Sequence, residues 1–196
     1  MNKNGESKEI LIYYSQILGV GTMYCETIES KDLILGKAKL EDLNNIYSNF
    51  WSQKDTAQYI LWKPCKNLNE AKKRLERTIE FQKNNLAYFV YDKKTMQAIG
   101  IAGFQEIEPG VFEDCGIGLG HSYIGKGLGK QLLAAIIKYL KNELKAKKII
   151  CSCFAENVAS ARMQKACGFK YIHSEKHIRK WDNKEFTADY YEIILN

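Results

Sequence analysis

Apolar side chains recur along this chain with two periods, one typical of helices and one typical of strands. The helical period predicts four helices, over residues 41–53, 69–84, 128–144 and 158–167. Apolar runs of strand length predict seven strands, over residues 32–38, 86–91, 97–108, 111–120, 148–154, 169–180 and 186–195. Turn-forming residues at 92–95, 109–110 and 182–184 separate strands, and the aromatic stretch 59–65 is predicted to be a loop.

The order of these elements indicates the fold class. An antiparallel meander comes first, one β-α-β crossover follows in the middle, and a hairpin closes the chain. This order predicts an α+β fold with a mixed, mostly antiparallel central sheet. The 196 residues suit one domain with a substantial core, and no Pro/Ser-rich linker or internal repeat divides them. We therefore expect a single domain over residues 23–196.

The first 22 residues do not continue this pattern. Residues 10–14 and 17–20 are apolar, but the stretch is too short to span a membrane. Codons for Gly19 and Val20 can contain a ribosome-binding sequence at a suitable distance before Met23. We expect residues 1–22 to be an extension outside the domain, and our hypothesis is that Met23 is the natural start.

The charge distribution and the cysteine spacing limit which partners and metals we expect this chain to bind. The net charge of +6 comes mostly from lysines spread along the chain, which suits a solvated surface or an anionic cofactor. No dense basic stripe with interleaved aromatics occurs, so we expect no nucleic-acid or membrane partner. The six cysteines form no CxxC pair, and only His173 and His177 have a metal-like spacing. We therefore expect no metal site, reduced thiols and a cytoplasmic location.

Residues 116–130 combine a glycine-rich strand, a glycine loop and the start of a helix. Glycines at alternate positions, Gly116, Gly118 and Gly120, leave one strand face bare, as happens where a ligand or another backbone approaches closely. The loop that follows can direct several N–H groups, with the dipole of the next helix, toward one phosphate. The alternative is a tight turn with glycines chosen for geometry alone. A P-loop is excluded because Gly127 stands where that motif needs Ser or Thr.

A second segment, residues 157–170, begins 30 residues after Gly127. Together the two segments resemble the GNAT acetyltransferase superfamily and its RimJ/RimL-type branch, whose named members acetylate protein N-termini. Residues 124–129 match the acyl-CoA pyrophosphate loop, and Asn157, Ser160 and the pair at 168–169 match the next helix. The chain departs from the common pattern at two places, with Ile124 where many members carry Gln or Arg and Gln164 where many carry a catalytic Tyr.

The resemblance implies the acyl-CoA N-acyltransferase fold, an α/β/α sandwich, with acetyl-CoA as co-substrate and an amine as acceptor. Backbone N–H groups of the central strand after a bulge would stabilise the oxyanion, and the pantetheine arm would lie between the strands ending near Gly120 and Phe154. Asn157 matches a position that contacts this arm, although it also fits a simple helix N-cap. The implied cofactor-binding residues are Ile117, Gly118, Leu119, Ile124, Gly125, Lys126, Gly127, Leu128, Gly129, Lys130, Asn157 and Ser160.

The attacking amine must be neutral, so the resemblance also implies a base. Glu113 or Asp114 falls where the family often keeps an acid, and these neighbours point to opposite faces of a strand, so only one can serve. The alternative is that both are surface charges, and Glu106 is an outside candidate. Without the Tyr, the general acid would be Ser160, Tyr171 or water.

The acceptor is expected to bind beside the loop between the first two helices. Trp62 is the best candidate there, with Tyr59, and the aromatics Trp51, Tyr190 and Tyr191 could also line the site or simply belong to the core. The expected activity is acetylation of a protein N-terminal α-amine. The alternatives are a small amine (polyamine, aminoglycoside or amino acid) or a weakly catalytic acetyl-CoA-binding module. The chain could be a monomer or a homodimer, the latter through the edge of the final hairpin.

Overall fold

A computed structural model describes residues 24–195 and contains one sheet of eight strands. The strands are β1 (Thr27–Glu29), β2 (Leu33–Gly36), β3 (Ala87–Asp92), β4 (Ala98–Glu108), β5 (Val111–Leu119), β6 (Lys148–Phe154), β7 (Lys170–Arg179) and β8 (Lys184–Ile194). Their order across the sheet is β1-β2-β3-β4-β5-β6-β8-β7. Among these eight strands of residues 24–195, only β5 and β6 are parallel neighbours, which confirms the predicted mixed, mostly antiparallel sheet. The predicted extension 1–22 and the hypothetical start Met23 lie outside the described residues.

Five α-helices accompany the sheet in the described part of the chain. They are α1 (Leu43–Ile46), α2 (Lys54–Ala57), α3 (Leu68–Gln82), α4 (Leu128–Asn142) and α5 (Val158–Ala166). The predicted long helices start and end within a few residues of α3, α4 and α5, because each has its own capping residue or apolar stripe. Asn67 caps α3 by accepting a hydrogen bond from the Glu70 N–H at 2.9 Å. No helix within residues 24–195 has the length and apolar character needed to span a membrane.

The prediction of one regular helix over residues 41–53 is wrong. A 3-10 turn (Leu40–Asp42) leads into α1, a π-helical turn (Tyr47–Trp51) follows, and α2 begins separately at Lys54. The π turn meets the end of β5 so closely that a Cβ added at Gly120 would lie 1.9 Å from the Asn49 carbonyl oxygen. Long-range contact therefore decides the helix geometry here. The short strand β1 was also not predicted, because its three residues show no period.

Two apolar clusters lie on opposite faces of the sheet. One joins the sheet to α4 through Leu132, Leu133, Ile136 and Leu140. The other joins it to α1, α3 and the π turn, and includes Ile46, Phe50, Trp51, Ala71 and Leu75. Fully burying one such large side chain contributes roughly 1.5–3 kcal/mol. Helices thus cover both faces, which is the predicted α/β/α sandwich, and the sheet between them separates two sides of the molecule.

Candidate active site

The central strands β5 and β6 are paired at one end and separated at the other. Their parallel pairing starts at Val111 with Lys148 and ends at Glu113 with Ile150. From Asp114 onward, β5 pairs only with β4, while β6 pairs with β8. A wedge-shaped opening therefore lies between the carboxyl ends of these two strands, and backbone groups that face it have no partner strand.

A β-bulge in β5 stands at the narrow end of this opening. Gly103 pairs with Gly116 and Phe104 pairs with Asp114, so Cys115 is an extra residue on β5. Gly116 has a φ of +123°, a conformation that strains any residue with a side chain. The bulge turns the following backbone, Ile117 to Leu119, along the wall of the opening. They lie after a bulge of the central strand, which is where the resemblance implies oxyanion donors.

The glycine loop forms one tight turn in front of α4. Gly125 and Gly127 have φ values of +77° and +75°, and a Cβ added at either would meet no atom within 4 Å. No side chain caps the first turn of α4, so its N–H groups face open space. Lys126 and Lys130 flank this space and are both exposed. The loop therefore has the shape and the partial positive charge of a phosphate site.

The start of α5 lies beside this loop. A Cβ added at Gly129 would lie 2.8 Å from the Met163 sulfur, so the glycine allows α4 and α5 to pack closely. Asn157 Oδ1 accepts a hydrogen bond from the Ser160 N–H at 3.1 Å, which makes Asn157 the N-cap of α5. The structure thus brings Asn157 and Ser160 to the same end of the sheet as the glycine loop.

Gln164 occupies the position where many members of the family that this chain resembles carry a Tyr. It is 2% exposed, its Nε2 donates to Ser160 Oγ at 3.3 Å, and its side-chain oxygen is buried without a partner in the described chain. Both Ser160 and Gln164 contact the Cys153 thiol, whose pKa burial raises to about 11. An amide cannot donate a proton as an acid, so the Ser160 hydroxyl is the nearest alternative group.

A cavity of about 300 Å³ opens on the other face of β5 and β6. Both predicted acceptor residues, Tyr59 and Trp62, line it, together with Asp114 and the bulged part of β5. Further aromatic side chains also line it: Phe50, Phe154, Phe186 and Tyr190. Of the other aromatics that the sequence offered, Trp51 and Tyr191 are 1% and 2% exposed and belong to the core.

Asp114 lies where the cavity meets the bulge. Its Oδ1 accepts a hydrogen bond from the Ser152 N–H at 2.7 Å, across the narrow end of the opening. The side chain keeps partial exposure toward the cavity, although protein atoms crowd its carboxyl group. Desolvation raises the pKa of Asp114 to about 7, and the negative charge of Glu113 adds to this, while the N–H groups of Ser152 and Gly116 oppose it. This carboxyl group can therefore exchange protons near neutral pH.

The remaining acid–base candidates lie elsewhere. Glu113 is absent from the cavity wall, and its carboxylate lies 3.5 Å from Gln105 Nε2 on β4. Glu106 accepts a hydrogen bond from the Gly110 N–H at the β4–β5 turn. Tyr171 is exposed on β7, where its hydroxyl contacts the Ser174 hydroxyl at 2.8 Å. Among the sequence candidates for the base, only Asp114 lines the cavity.

The structure also adds cavity residues that the sequence did not indicate for the acceptor site. Phe50, Phe154, Phe186 and His177 line the cavity, and His177 contacts the Tyr190 hydroxyl through Nε2 at 3.2 Å. The alternation of Phe186, Ala188 and Tyr190 along β8 was a signal for one shared face. No pattern indicated that this face meets the loop 59–62. In residues 24–195, no group of three or more His, Cys, Asp or Glu side chains could hold a metal ion.

Known proteins share sequence similarity with this chain. The acetyltransferase (GNAT) domain profile matches residues 32–170. The ribosomal protein uS5-alanine N-acetyltransferase of Escherichia coli (strain K12) is 29% identical over 101 residues, which cover 50% of this chain and 52% of that protein. The spermine/spermidine N(1)-acetyltransferase of Bacillus subtilis (strain 168) is 41% identical over 49 residues, which cover 25% of this chain and 32% of that protein. The chain thus spans about half the length of the first relative and a third of the second.

A solved structure shows the same fold. The microcin C7 self-immunity acetyltransferase MccE, in complex with acetyl-CoA and AMP, has a TM-score of 0.72 and 17% identity, covering 84% of this chain and 93% of that one. Acetyl-CoA is the co-substrate of this fold family, and the open glycine loop, the uncapped helix and the unpaired strand edges suit its pyrophosphate and pantetheine arm. Because the domain profile covers most of its length, this chain belongs to the GNAT acetyltransferase family.

Proposed function

We propose that this chain transfers an acetyl group from acetyl-CoA to the α-amine of a polypeptide N-terminus. One observation carries the choice of acceptor: the single carboxyl group in the acceptor cavity, Asp114, has a pKa raised to about 7. A base of this strength can deprotonate an amine of low pKa at small cost, and a polypeptide α-amine has a lower pKa than a lysine or polyamine amine. The relative from Escherichia coli, named for an alanine of ribosomal protein uS5, supports the same class.

The match follows from the free energy of proton transfer. An α-ammonium group has a pKa of about 8, so transferring its proton to Asp114 costs roughly 1.4 kcal/mol. A lysine ammonium group has a pKa of about 10.4, and the same transfer costs roughly 4.6 kcal/mol. Alkyl polyamines resemble lysine in this respect. Asp114 is therefore an adequate base for an α-amine and a weak one for a side-chain amine.

Each group around the opening then has one role in the reaction. Acetyl-CoA supplies the thioester carbonyl group that the amine attacks. The Asp114 carboxylate accepts the proton of the ammonium group, and the aromatic walls formed by Tyr59 and Trp62 hold the rest of the first residue. The backbone N–H groups of residues 117–119 are candidates for stabilising the negative oxygen, because β5 leaves β6 beside them. The second proton of the amine nitrogen passes through the Ser160 hydroxyl or a water to the departing thiolate, so that coenzyme A leaves as a thiol.

Acetyl-CoA would bind on the opposite face of the opening between β5 and β6, next to α4 and α5. The N–H groups of residues 125–130 would bind the pyrophosphate, with Lys126 and Lys130 adding positive charge. Asn157, besides capping α5, and Ser160 would contact the pantetheine arm. This arrangement brings the thioester to the opening from the α4 and α5 side while the amine enters through the cavity.

A cytoplasmic location fits the chemistry of the thiols. All six cysteines are free, including the buried pair Cys65 and Cys151. Cys151 and Cys153 occupy alternate positions on β6, and burial raises the pKa of both. Unreactive, unpaired thiols are typical of proteins in a reducing compartment. We therefore place the reaction in the cytoplasm, where acetyl-CoA and new polypeptides are both present.

Two alternatives have specific support. The Bacillus subtilis relative is named for spermine and spermidine, so a small polyamine is the second candidate acceptor. Gln164 removes the acidic hydroxyl that many family members use, which would suit a module that binds acetyl-CoA with little turnover. Tight cofactor binding without any product would identify such a module.

Release of the coenzyme A thiol with a panel of acceptors tests the proposal. The panel holds free-amine peptides, the same peptides with a blocked N-terminus and an internal lysine, spermidine, an aminoglycoside and amino acids. Mass spectrometry of the products locates the acetyl group. We expect turnover on the free-amine peptides at the α-nitrogen only. Turnover confined to spermidine would replace the proposal by the polyamine alternative.

A further inference from the structure

A second concavity lies beside the acceptor cavity and has a volume of about 690 Å³. We name it the basic groove. Its lining consists of Tyr47, Ser52, Lys54, Ala57, Gln58, Lys63, Pro64, Cys65, Lys66, Arg179 and Trp181. This lining holds four basic residues and no acidic one, so the groove differs from the cavity in charge as well as in size.

The basic groove and the cavity share one wall. Residues 59–62 line the cavity, whereas Gln58 and Lys63, at the two ends of that segment, line the groove. On β7, His177 lines the cavity and Arg179 lines the groove. Positions two apart in a strand point to the same face and lie about 6.6 Å from each other. The two spaces are therefore neighbours on the same side of the sheet.

Arg179 holds this wall in place. It is 6% exposed, and its Nη1 donates to the carbonyl oxygens of Ala57, Gln58 and Ile60 at 3.0–3.3 Å. Its Nε and Nη2 donate to the Asp182 carboxylate at 2.9 and 2.6 Å. The Arg179 charge is thus compensated, and its side chain acts as a strut between β7 and the wall.

The lysines of the groove are not compensated in the same way. Lys54, Lys63 and Lys66 are exposed, and none of them makes an ion pair with another residue in the described range 24–195. Three acidic residues lie next to the lining: Asp182 pairs with Arg179, Asp55 follows Lys54 in the chain, and the Glu70 carboxylate accepts a hydrogen bond from the Lys66 backbone N–H at 2.9 Å. A concave surface with several free cations and no lining acid attracts negative charge.

We propose that the basic groove binds an acidic segment of the acceptor polypeptide, beginning about three residues after the acetylated α-amine. This rests on the proposed function, since only a polypeptide acceptor reaches both spaces. An extended chain advances about 3.3 Å per residue, so its first residue fills the cavity and the next two cross the wall. Glu or Asp side chains at the fourth and later positions then face Lys54 and Lys63.

Peptide binding and turnover, measured separately, test this inference. One peptide carries Glu at positions four to seven after a small first residue, and its partner carries Gln at the same positions. Calorimetry with N-acetylated versions of both measures groove binding without turnover. We expect the Glu peptide to bind at least tenfold more tightly at low salt, and added salt to reduce the difference.

A charge-reversal variant connects this preference to the groove. Lys54→Glu with Lys63→Glu is expected to abolish the preference for the Glu peptide and to leave binding of the Gln peptide within about twofold. The matched control, Lys138→Glu with Lys141→Glu, makes the same charge change on the exposed side of α4 and is expected to keep the preference. Circular dichroism verifies that both variants are folded.

The outcomes separate this inference from the proposed function. Equal binding of the two peptides to the wild type, or an equal loss of preference in both double variants, overturns the inference. The acetylation assay with the free-amine Gln peptide is independent of the groove. Turnover of that peptide without a Glu preference would therefore support the proposed function. It would overturn only the inference that the basic groove binds an acidic segment. Glu-dependent binding without any turnover would support the acidic segment and overturn the proposed function.

Discussion

Asp114 lies in the cavity wall directly before the extra residue of β5, Cys115. The sequence predicted that either Glu113 or Asp114 would face the site, since neighbours in a strand point to opposite sides. It could not choose between them, because the choice depends on where β5 separates from β6, directly after Glu113, and no local pattern shows that point. Local pattern thus predicts the pair of acids, and tertiary pairing selects one.

The first prediction concerns this selection. Asp114→Asn keeps the shape of the side chain and removes the proposed base, so we expect kcat at pH 7 to fall about 100-fold or more. Acetyl-CoA affinity is expected to stay within about twofold, because the variant does not touch the loop 124–130. Steady-state kinetics and calorimetry measure the two effects. Glu113→Gln is the control and should retain most activity; the reverse result would assign the base to Glu113.

The second prediction concerns stability. The raised pKa of Asp114, about 7, exceeds the value of about 3.9 in an unfolded chain. Between these values the folded protein binds more protons than the unfolded one, so this group lowers the free energy of unfolding as pH rises from 4 to 7. We expect Asp114→Asn to gain stability relative to wild type between pH 5 and pH 8.

Urea denaturation of both proteins at the two pH values checks this sign. Glu113→Gln again serves as the control, since it removes a nearby negative charge without removing the buried carboxyl group. If the stability difference between Asp114→Asn and wild type is the same at pH 5 and pH 8, the Asp114 pKa is not raised. The assignment of Asp114 as a base near neutrality would then fail as well.

The sequence could predict those elements whose boundaries are determined by their own residues. The helices α3 and α4 combine an apolar stripe with a capping residue or a glycine turn, α5 has the capping residue Asn157, and all three form near the predicted boundaries. The segment 40–51 carries an apolar period too, yet it becomes a 3-10 turn, α1 and a π turn. Its geometry follows the contact between Asn49 and Gly120, residues far apart in the chain.

The third prediction tests the loop that precedes α4. Gly127→Glu places bulk and negative charge where the pyrophosphate would lie, and we expect calorimetry to show no acetyl-CoA binding. Gly127→Gln has nearly the same bulk without the charge. Because Gly127 has a φ of +75°, both variants share a backbone cost of roughly 1–2 kcal/mol. The difference between them therefore reports the charge.

We expect the Gln variant to bind acetyl-CoA measurably, although more weakly than wild type. Thermal melts confirm that both variants are folded at the temperature of the titration. Wild-type affinity in Gly127→Glu would show that the loop is a tight turn without a ligand. That result would remove the cofactor assignment for residues 124–130.

At the scale of the molecule, the site depends on two halves of one sheet. Strands β1 to β5 form one half and β6 to β8 the other, and only three residue pairs of β5 and β6 join them by strand pairing. The cluster around α4 compensates for this, because it includes side chains of both halves such as Val90 and Ile149. Sequence predicted the crossover but could not show that the opening and the cavity would meet at this junction.

The last prediction follows from this junction. Because one apolar cluster spans both halves, we expect a single cooperative unfolding transition for the domain proposed over residues 23–196. Acetyl-CoA would contact β5, α4 and α5 and thereby connect the halves. At about 100 times its dissociation constant it should add roughly 2.7 kcal/mol, which corresponds to roughly 5–10 °C in Tm.

Differential scanning calorimetry with and without acetyl-CoA measures the number of transitions and the shift together. Gly127→Glu should unfold in one transition and show no shift, so the shift in wild type reports binding at the loop. Two transitions in the free protein, with acetyl-CoA moving only one of them, would mean that the halves fold separately. The narrow pairing of β5 with β6 would then be a boundary, and the cavity that bridges it would need the bound cofactor to form.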